Sequence, residues 1–281
     1  MTNYQDLIDR LIDLGIEEDI STGDISTNAI IPVYTRAVAE MKAKAPGVIS
    51  GLSVIRAVYE RFEKDIVWEP LVEDGARVEA GDIILRMEAS YRCLLCGERL
   101  SLNILQRMSG IATETARYVD ALEGTRTRLL DTRKTVPGMR VLDKMAVKHG
   151  GGMNHRMGLY DMVMLKDNHI KIAGGIPNAI AAVKRNQPLS IRLEVETTNL
   201  DEVRQALEGG ADIIMLDNMD NAAMAEAVRI IDGRAKTEAS GNMSLERLRS
   251  VAEVGVDYIS VGALTHSVKA MDISMNIKIL Q

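Results

Sequence analysis

Two adjacent cations, Arg133 and Lys134, stand in LLDTRKTVPGM directly after a short apolar run, with Thr132 before them and a Pro-Gly turn beyond. Like charges side by side repel, and neither can follow the leucines into a core unpaired, so an anion is expected to meet them. Donors of the same kind recur downstream. Asn154, His155 and Arg156 follow the glycines of GGGMNHRMG, and Lys166 closes YDMVMLK. The arginines suit a two-pronged grip on a carboxylate or phosphate, the lysines a point contact. Glu194 and Glu196 lie in IRLEVE, and Asp217 ends ADIIMLD. Glu196 and Asp217, at the tips of consecutive strands, suit a hydrated Mg²⁺ or the hydroxyls of a ribose, because both want carboxylate oxygens. Ser240, Gly241 and Asn242, then Val261, Gly262 and Ala263, offer backbone N–H groups where barrels of parallel strands often bind phosphate. Almost no nucleophile appears. The inventory describes a site for a phosphorylated sugar and an acidic partner.

These residues share one position in a repeating unit. After Gly124 short apolar runs alternate with helical segments: TRLLD, YDMVMLK, IRLEVE, ADIIMLD, RAKTEASG and VDYISVGAL are the runs. Alternation at this spacing argues for six β/α units and a parallel sheet, closed or open. The polar residues fall at the carboxyl ends of the strands, which in such a sheet meet on one face. A charged residue after one strand is ordinarily a solvated loop; recurrence in every unit makes that reading weak. The glycines of GGGMNHRMG alone would read as a helix C-cap and turn, and Asn154, His155 and Arg156 shift the balance toward a donor loop. His169 is read as holding its loop, and His149 and His266 as structural. Neither GxGxxG after a strand nor a P-loop is present.

Before Gly124 the texture is mixed. An amphipathic acidic helix, the capping-rich STGDISTNAI, an alternating strand in TRAVAEMKAKAPGVISG and a helix in GLSVIRAVYERF precede VEDGARVEAGDIILRMEAS, which reads as hairpin strands. A long helix is predicted from Leu94 to about Leu122, linking two domains. Cys93 and Cys96 form a lone CxxC without nearby histidines, weak for zinc, and are read as reduced, partly buried thiols.

Composition narrows the function. The 281 residues are 46% hydrophobic, enough for ample core, and no run approaches a membrane span. Without a signal peptide pattern, a cytoplasmic location is expected. A net charge of −6 discourages polyanions such as nucleic acid, and one Phe with one Trp leaves little for base stacking.

DTRKT-PG, GGGMNHRMGLYD, MLKDNH, LEVE, MLDN, EASGN and VGALTHS, with ERLSLNILQRMSGIA upstream, closely resemble the quinolinate phosphoribosyltransferase family over nearly the whole chain. The resemblance implies an N-terminal α/β sandwich-like domain, here residues 1–115, and an incomplete, open barrel of parallel strands carrying the active site, here 116–265. Residues 266–281 would pack back on the first domain. It implies transfer of phosphoribose from 5-phosphoribosyl-1-pyrophosphate to quinolinate, releasing pyrophosphate and CO2 and yielding nicotinate mononucleotide for NAD synthesis, with Mg²⁺ as cofactor. By the same likeness, Arg133, His155, Arg156 and Lys166 would hold quinolinate, joined by Arg99 from the neighbouring subunit of a homodimer. Lys134, Glu196, Asp217, Ser240 and Gly262 would hold the pyrophosphate substrate and its metal. Read from the residues alone, Arg99 beside the apolar stripe of its helix would be a solvated arginine.

Three other readings compete. A nicotinate phosphoribosyltransferase or molybdenum-associated paralogue would face one carboxylate and should lack part of the cation set, which is complete here. A sugar-phosphate binder without catalysis would not need Glu196 and Asp217 beside Lys134. An aldolase or isomerase would use Lys166 as a Schiff base.

Overall fold

The computed structural model describes residues 3–186, 188 and 190–280. They fall into two compact units: Met1–Ala116 with Thr135–Gly151 and Leu264–Gln281, and Arg117–Lys134 with Gly152–Ala263.

In the first unit, α1 (Tyr4–Asp19) starts on Asn3, whose side chain accepts the Gln5 N–H at 3.1 Å, and it buries Ile8 and Ile12. Asp24 caps α2 (Ile25–Ile30) in the same way through Thr27. β1 (Arg36–Ala43) alternates half-buried and buried residues along RAVAEMKA, the pattern of a strand with one face on a core. β2 (Gly47–Val48), α3 (Leu52–Tyr59), β3 (Val67–Pro70), β4 (Arg77–Val78) and β5 (Ile83–Ser90) follow. The expected hairpin over 72–90 does not form. β4 pairs with β2, whereas β5 pairs antiparallel with β1 and β3. Gly75 and Gly81, at φ 96° and 104°, bend the chain on either side of β4 and send it to a different sheet. α4 (Tyr91–Ala121) is the long helix, with both cysteines free in its first turns and Cys93 pushed up to about 12 by burial.

The second unit begins with β6 (Arg128–Leu130). The chain then returns to the first unit for α5 (Arg140–His149), where Asp143, fully buried, accepts two hydrogen bonds from Arg107 of α4 at 2.9 Å each. A carboxylate so placed needs that partner. His149 lies 2.7 Å from Ser50 Oγ, in keeping with its structural reading.

Beyond α5 run β7 (Val163–Leu165), α6 (Asp167–Ala173), α7 (Ile176–Asn186), β8 (Leu193–Thr197), α8 (Leu200–Glu208), β9 (Ile213–Asp217), α9 (Asn221–Ile231), β10 (Lys236–Ser240), α10 (Leu245–Glu253), β11 (Tyr258–Ser260) and α11 (Ala263–His266). Caps drawn from the sequence start several of these helices: Asn199 accepts from Asp201 and Glu202, and Asp220 from Ala223. The six strands lie in the order β6-β11-β10-β9-β8-β7, every neighbouring pair parallel. The sheet is open between β6 and β7, the two strands whose connection leaves for the other unit. Met153 occupies part of that gap: its N–H reaches Leu129 O at 2.9 Å, and its carbonyl accepts Asp131 N–H at 3.1 Å.

β12 (Ile273–Ile279) completes the first unit's sheet, which runs β12-β1-β5-β3, by pairing antiparallel with β1 from Ala37↔Ile279 to Ala43↔Ile273. The segment leading to it passes so close to α4 that a Cβ on Gly110 would lie 2.2 Å from Lys269 O. No helix among the described residues is long and apolar enough to cross a membrane.

Candidate active site

Strand pairing sets the site's geometry. Glu196 is opposite Met215 and Asp217 opposite Ser240, so the carboxyl ends of β8, β9 and β10 finish at nearly one level. At the end of β6, Asp131 is fully buried and accepts the backbone N–H of His155 at 2.8 Å, which ties the loop before β7 to the strand end it faces. Thr132 Oγ1 accepts the Lys134 N–H at 3.1 Å and shapes the turn that carries half-buried Arg133 and exposed Lys134.

His155, one of the expected quinolinate ligands, has an almost wholly buried side chain. Its Nε2 lies 3.0 Å from Glu194 Oε2 and 3.3 Å from Glu238 Oε2, both glutamates fully buried, while Nδ1 accepts the Arg156 N–H at 2.7 Å. Both ring nitrogens thus have polar neighbours within the protein. Burial by itself would lower the imidazole's pKa, but the two carboxylates outweigh it and push it up to about 10. Nε2 therefore carries a proton toward the two carboxylates, and burial, followed by the charge of Glu238, raises Glu194 to about 7.

Arg156 does face the cation cluster. Burial, then the charge of Arg133, lowers its pKa, so the two guanidiniums share one locale; its Nη1 also donates to Met162 O at 3.2 Å. Lys166, at the end of β7, stands 3.6 Å from Glu196 Oε2, and its backbone N–H is accepted by His169 Nδ1 at 3.0 Å, so His169 holds that turn. Burial and then the charge of Asp217 raise Glu196, against the pull of Lys166. Glu196 and Asp217 thus offer two neighbouring carboxylates without soft ligands, a donor set that fits a hydrated divalent cation such as Mg²⁺.

The last strand ends are stitched together. Asn218 N donates to Ser240 O at 3.0 Å, and Asn242 Nδ2 to Asn218 Oδ1 at 3.3 Å; Arg247 then reaches Gly241 O at 3.3 Å and Met219 O at 2.9 Å. Gly241 is required there. Its φ is 92°, and a Cβ would lie 2.3 Å from Asn218 Oδ1. Val261 N donates to Leu130 O at 3.0 Å, bringing Gly262 and Ala263 beside the end of β6. These stretches leave half-buried Ser240 and Gly262 at the rim.

Arg99 lies in the first unit, on α4. It is exposed, and no hydrogen bond or ion pair joins its side chain to any described residue.

Glu194 and Glu238 carry more of the site than their place in the sequence suggested, and Asn218 and Arg247 were not singled out. A signal existed for the glutamates: each sits two residues before the polar strand end, on the inward face of an otherwise apolar or small-residue strand, where a solvated carboxylate has no place.

The family model for the quinolinate phosphoribosyl transferase N-terminal domain matches residues 24–109, and that for the C-terminal domain matches residues 111–276. The chain belongs to the quinolinate phosphoribosyl transferase family. Among its relatives, a probable nicotinate-nucleotide pyrophosphorylase [carboxylating] of Synechocystis is 42% identical, covering 96% of this chain and 92% of that protein. A probable nicotinate-nucleotide pyrophosphorylase [carboxylating] of Bacillus subtilis is 40% identical, with 92% and 90% covered. The crystal structure of NadC from Streptococcus pyogenes superposes with a TM-score of 0.95 at 40% identity, covering 100% of this chain and 99% of that one. Within the quinolinate phosphoribosyl transferase family, then, the open six-stranded sheet is the C-terminal domain and the antiparallel sheet the N-terminal one.

Proposed function

We propose that this chain transfers phosphoribose from 5-phosphoribosyl-1-pyrophosphate to quinolinate with loss of CO2, giving nicotinate mononucleotide and pyrophosphate for NAD synthesis. The observation that supports the reading is that Arg133 and Arg156 feel each other's charge, in the same unit in which Lys166 stands 3.6 Å from Glu196, itself in the field of Asp217. A pyridine dicarboxylate is a planar dianion, and orienting it calls for several convergent cations.

In this reading Arg133, Arg156 and Lys166 hold the two carboxylates, and Arg99 of the partner subunit completes the grip. An exposed arginine with no polar partner of its own is free to serve that purpose. His155, next to Arg156 in the chain, has its Nε2 between Glu194 and Glu238. Lys134, with the strand-end stretches at Gly241, Asn242, Gly262 and Ala263 and the Ser240 hydroxyl, faces the phosphates, while Val261 spends its own N–H on Leu130 O and holds its stretch in place. Displacement at the anomeric carbon passes through a cationic, oxocarbenium-like state, so the chain's task is orientation and charge placement more than nucleophilic attack. Lys134 stabilises charge developing on the departing pyrophosphate. Glu196 and Asp217 would hold Mg²⁺, directly or through water, and the ion when bound supplies further neutralisation of the leaving group. Once the pyridine nitrogen carries ribose, the cationic ring accepts the electron pair left by the departing 2-carboxylate, and a proton replaces CO2 there. No separate electron sink is required.

Pyrophosphate release should depend on quinolinate, phosphoribosyl pyrophosphate and Mg²⁺ together. Chelation with EDTA is expected to abolish it and excess Mg²⁺ to restore it, as followed by a coupled phosphate assay. Full turnover in EDTA would remove the metal from this account.

A further inference from the structure

The buried cluster of His155, Glu194 and Glu238 is costly in a way the binding of substrates does not explain. Two carboxylates face each other in the interior, with no donor among the described residues reaching their oxygens besides the imidazole. Apolar residues of the same volume would fill that space with less desolvation. The ring is also oddly placed for a core residue. Its backbone is sewn to β6 by the Asp131 contact, yet its tip lies between β8 and β10, across the intervening β9. It therefore ties the loop that fills the sheet's open side to strands on the far side.

The residue governed by this tie is Arg156. Its amide hydrogen is the one accepted by His155 Nδ1. On the other flank Asp161 takes the N–H groups of Met157 at 2.6 Å and Gly158 at 2.9 Å. Arg156 is thus bracketed, fixed before its Cα by the cluster and after it by an aspartate-capped turn. We propose that Glu194 and Glu238 are positioning residues that act through His155, holding its imidazole so that the 153–156 segment presents Arg156 to a substrate carboxylate. The proposal rests on the quinolinate reading of Arg156 and adds to it a specific source of preorganisation.

A structural role and a positioning role part company on substitution. If the cluster only fills space, Glu238→Leu should leave the KM for quinolinate unchanged. If it positions Arg156, Glu238→Leu should raise that KM by about tenfold or more while the KM for phosphoribosyl pyrophosphate stays within about twofold, and Glu238→Gln, which keeps an acceptor for Nε2–H, should recover most of the loss. His155→Ala should raise the same KM, and adding Glu238→Leu to it should raise it no further, because a residue acting only through His155 has nothing left to act on. An unchanged KM in Glu238→Leu, or losses that add fully in the double variant, would overturn the proposal. If Arg156→Ala itself left the quinolinate KM unchanged, the quinolinate reading would fail instead; a raised KM there with an unchanged one in Glu238→Leu would sink the cluster's role alone.

Should Glu238→Leu not fold, the native protein decides. With four histidines in the chain, ¹⁵N-imidazole spectra can be assigned by comparison with His155→Gln. Without substrate, the His155 Nε2–H is expected to exchange slowly; fast exchange there would overturn the proposal. So would a divalent metal that copurifies stoichiometrically and disappears in Glu238→Gln, since the three side chains offer ligand atoms within 4.8 Å of one another.

Discussion

Arg133→Ala is expected to weaken quinolinate binding by roughly a hundredfold or more while the fold survives. Arg133 follows β6 directly, half-buried, and its charge is felt by Arg156, so its guanidinium belongs to the cluster proposed to receive the dianion. Truncating one member of a desolvated charge pair costs about 2–5 kcal/mol, much of it from leaving the partner charge unanswered, and about 1.4 kcal/mol is a factor of ten in affinity. The partner in this reading is a substrate carboxylate. Calorimetric titration with quinolinate reads the change directly, and circular dichroism reports the fold. Affinity for phosphoribosyl pyrophosphate should move little. Unchanged quinolinate affinity would remove Arg133 from the site.

The second large effect crosses the subunit boundary. Arg99→Ala and Lys134→Ala are each expected to lose activity by about a hundredfold or more as homodimers. Mixed after dissociation, the two variants should recover activity. In a heterodimer one site combines the intact Lys134 of the first chain with the intact Arg99 of the second, and the other site has neither. Random reassortment of a twofold dimer makes half the dimers mixed, so about a quarter of the sites should work. Heterodimers demonstrated by mass spectrometry but showing no recovered turnover would confine each site to a single chain.

Much of this arrangement was legible before any coordinates. The six parallel strands announced themselves through apolar runs spaced by helical segments, and the polar residues closing them marked the working edge, because a parallel sheet brings those ends together whatever its closure. On that ground alone Lys166, Glu196 and Asp217 fall at strand ends, with Arg133 and Arg156 in the loops beside them. Other features were hidden for physical reasons. β4 pairs with a strand it is not next to in the chain, and local turn chemistry at Gly75 and Gly81 predicts a bend but not its partner. α5 continues the β/α rhythm in sequence yet packs with the first unit through Arg107 and Asp143, a pairing between residues 36 positions apart. His155 carried the deepest ambiguity. A histidine beside an arginine reads as an anion ligand, and only the placement of two inward-facing glutamates on strands β8 and β10 shows where its ring nitrogens turn.

In the proposed reading Arg133 and Lys134, adjacent in the chain, would serve the acid and the pyrophosphate respectively, so that their mutual repulsion would be answered by two different anions.

Quinolinate loses its 2-carboxylate as it accepts phosphoribose. Purified protein given Mg²⁺, phosphoribosyl pyrophosphate and quinolinate labelled at the 2-carboxylate should release the label as CO2 in equal amount to pyrophosphate and nicotinate mononucleotide, with nicotinate unable to replace quinolinate. Label retained in solution while nicotinate is consumed would contradict the account.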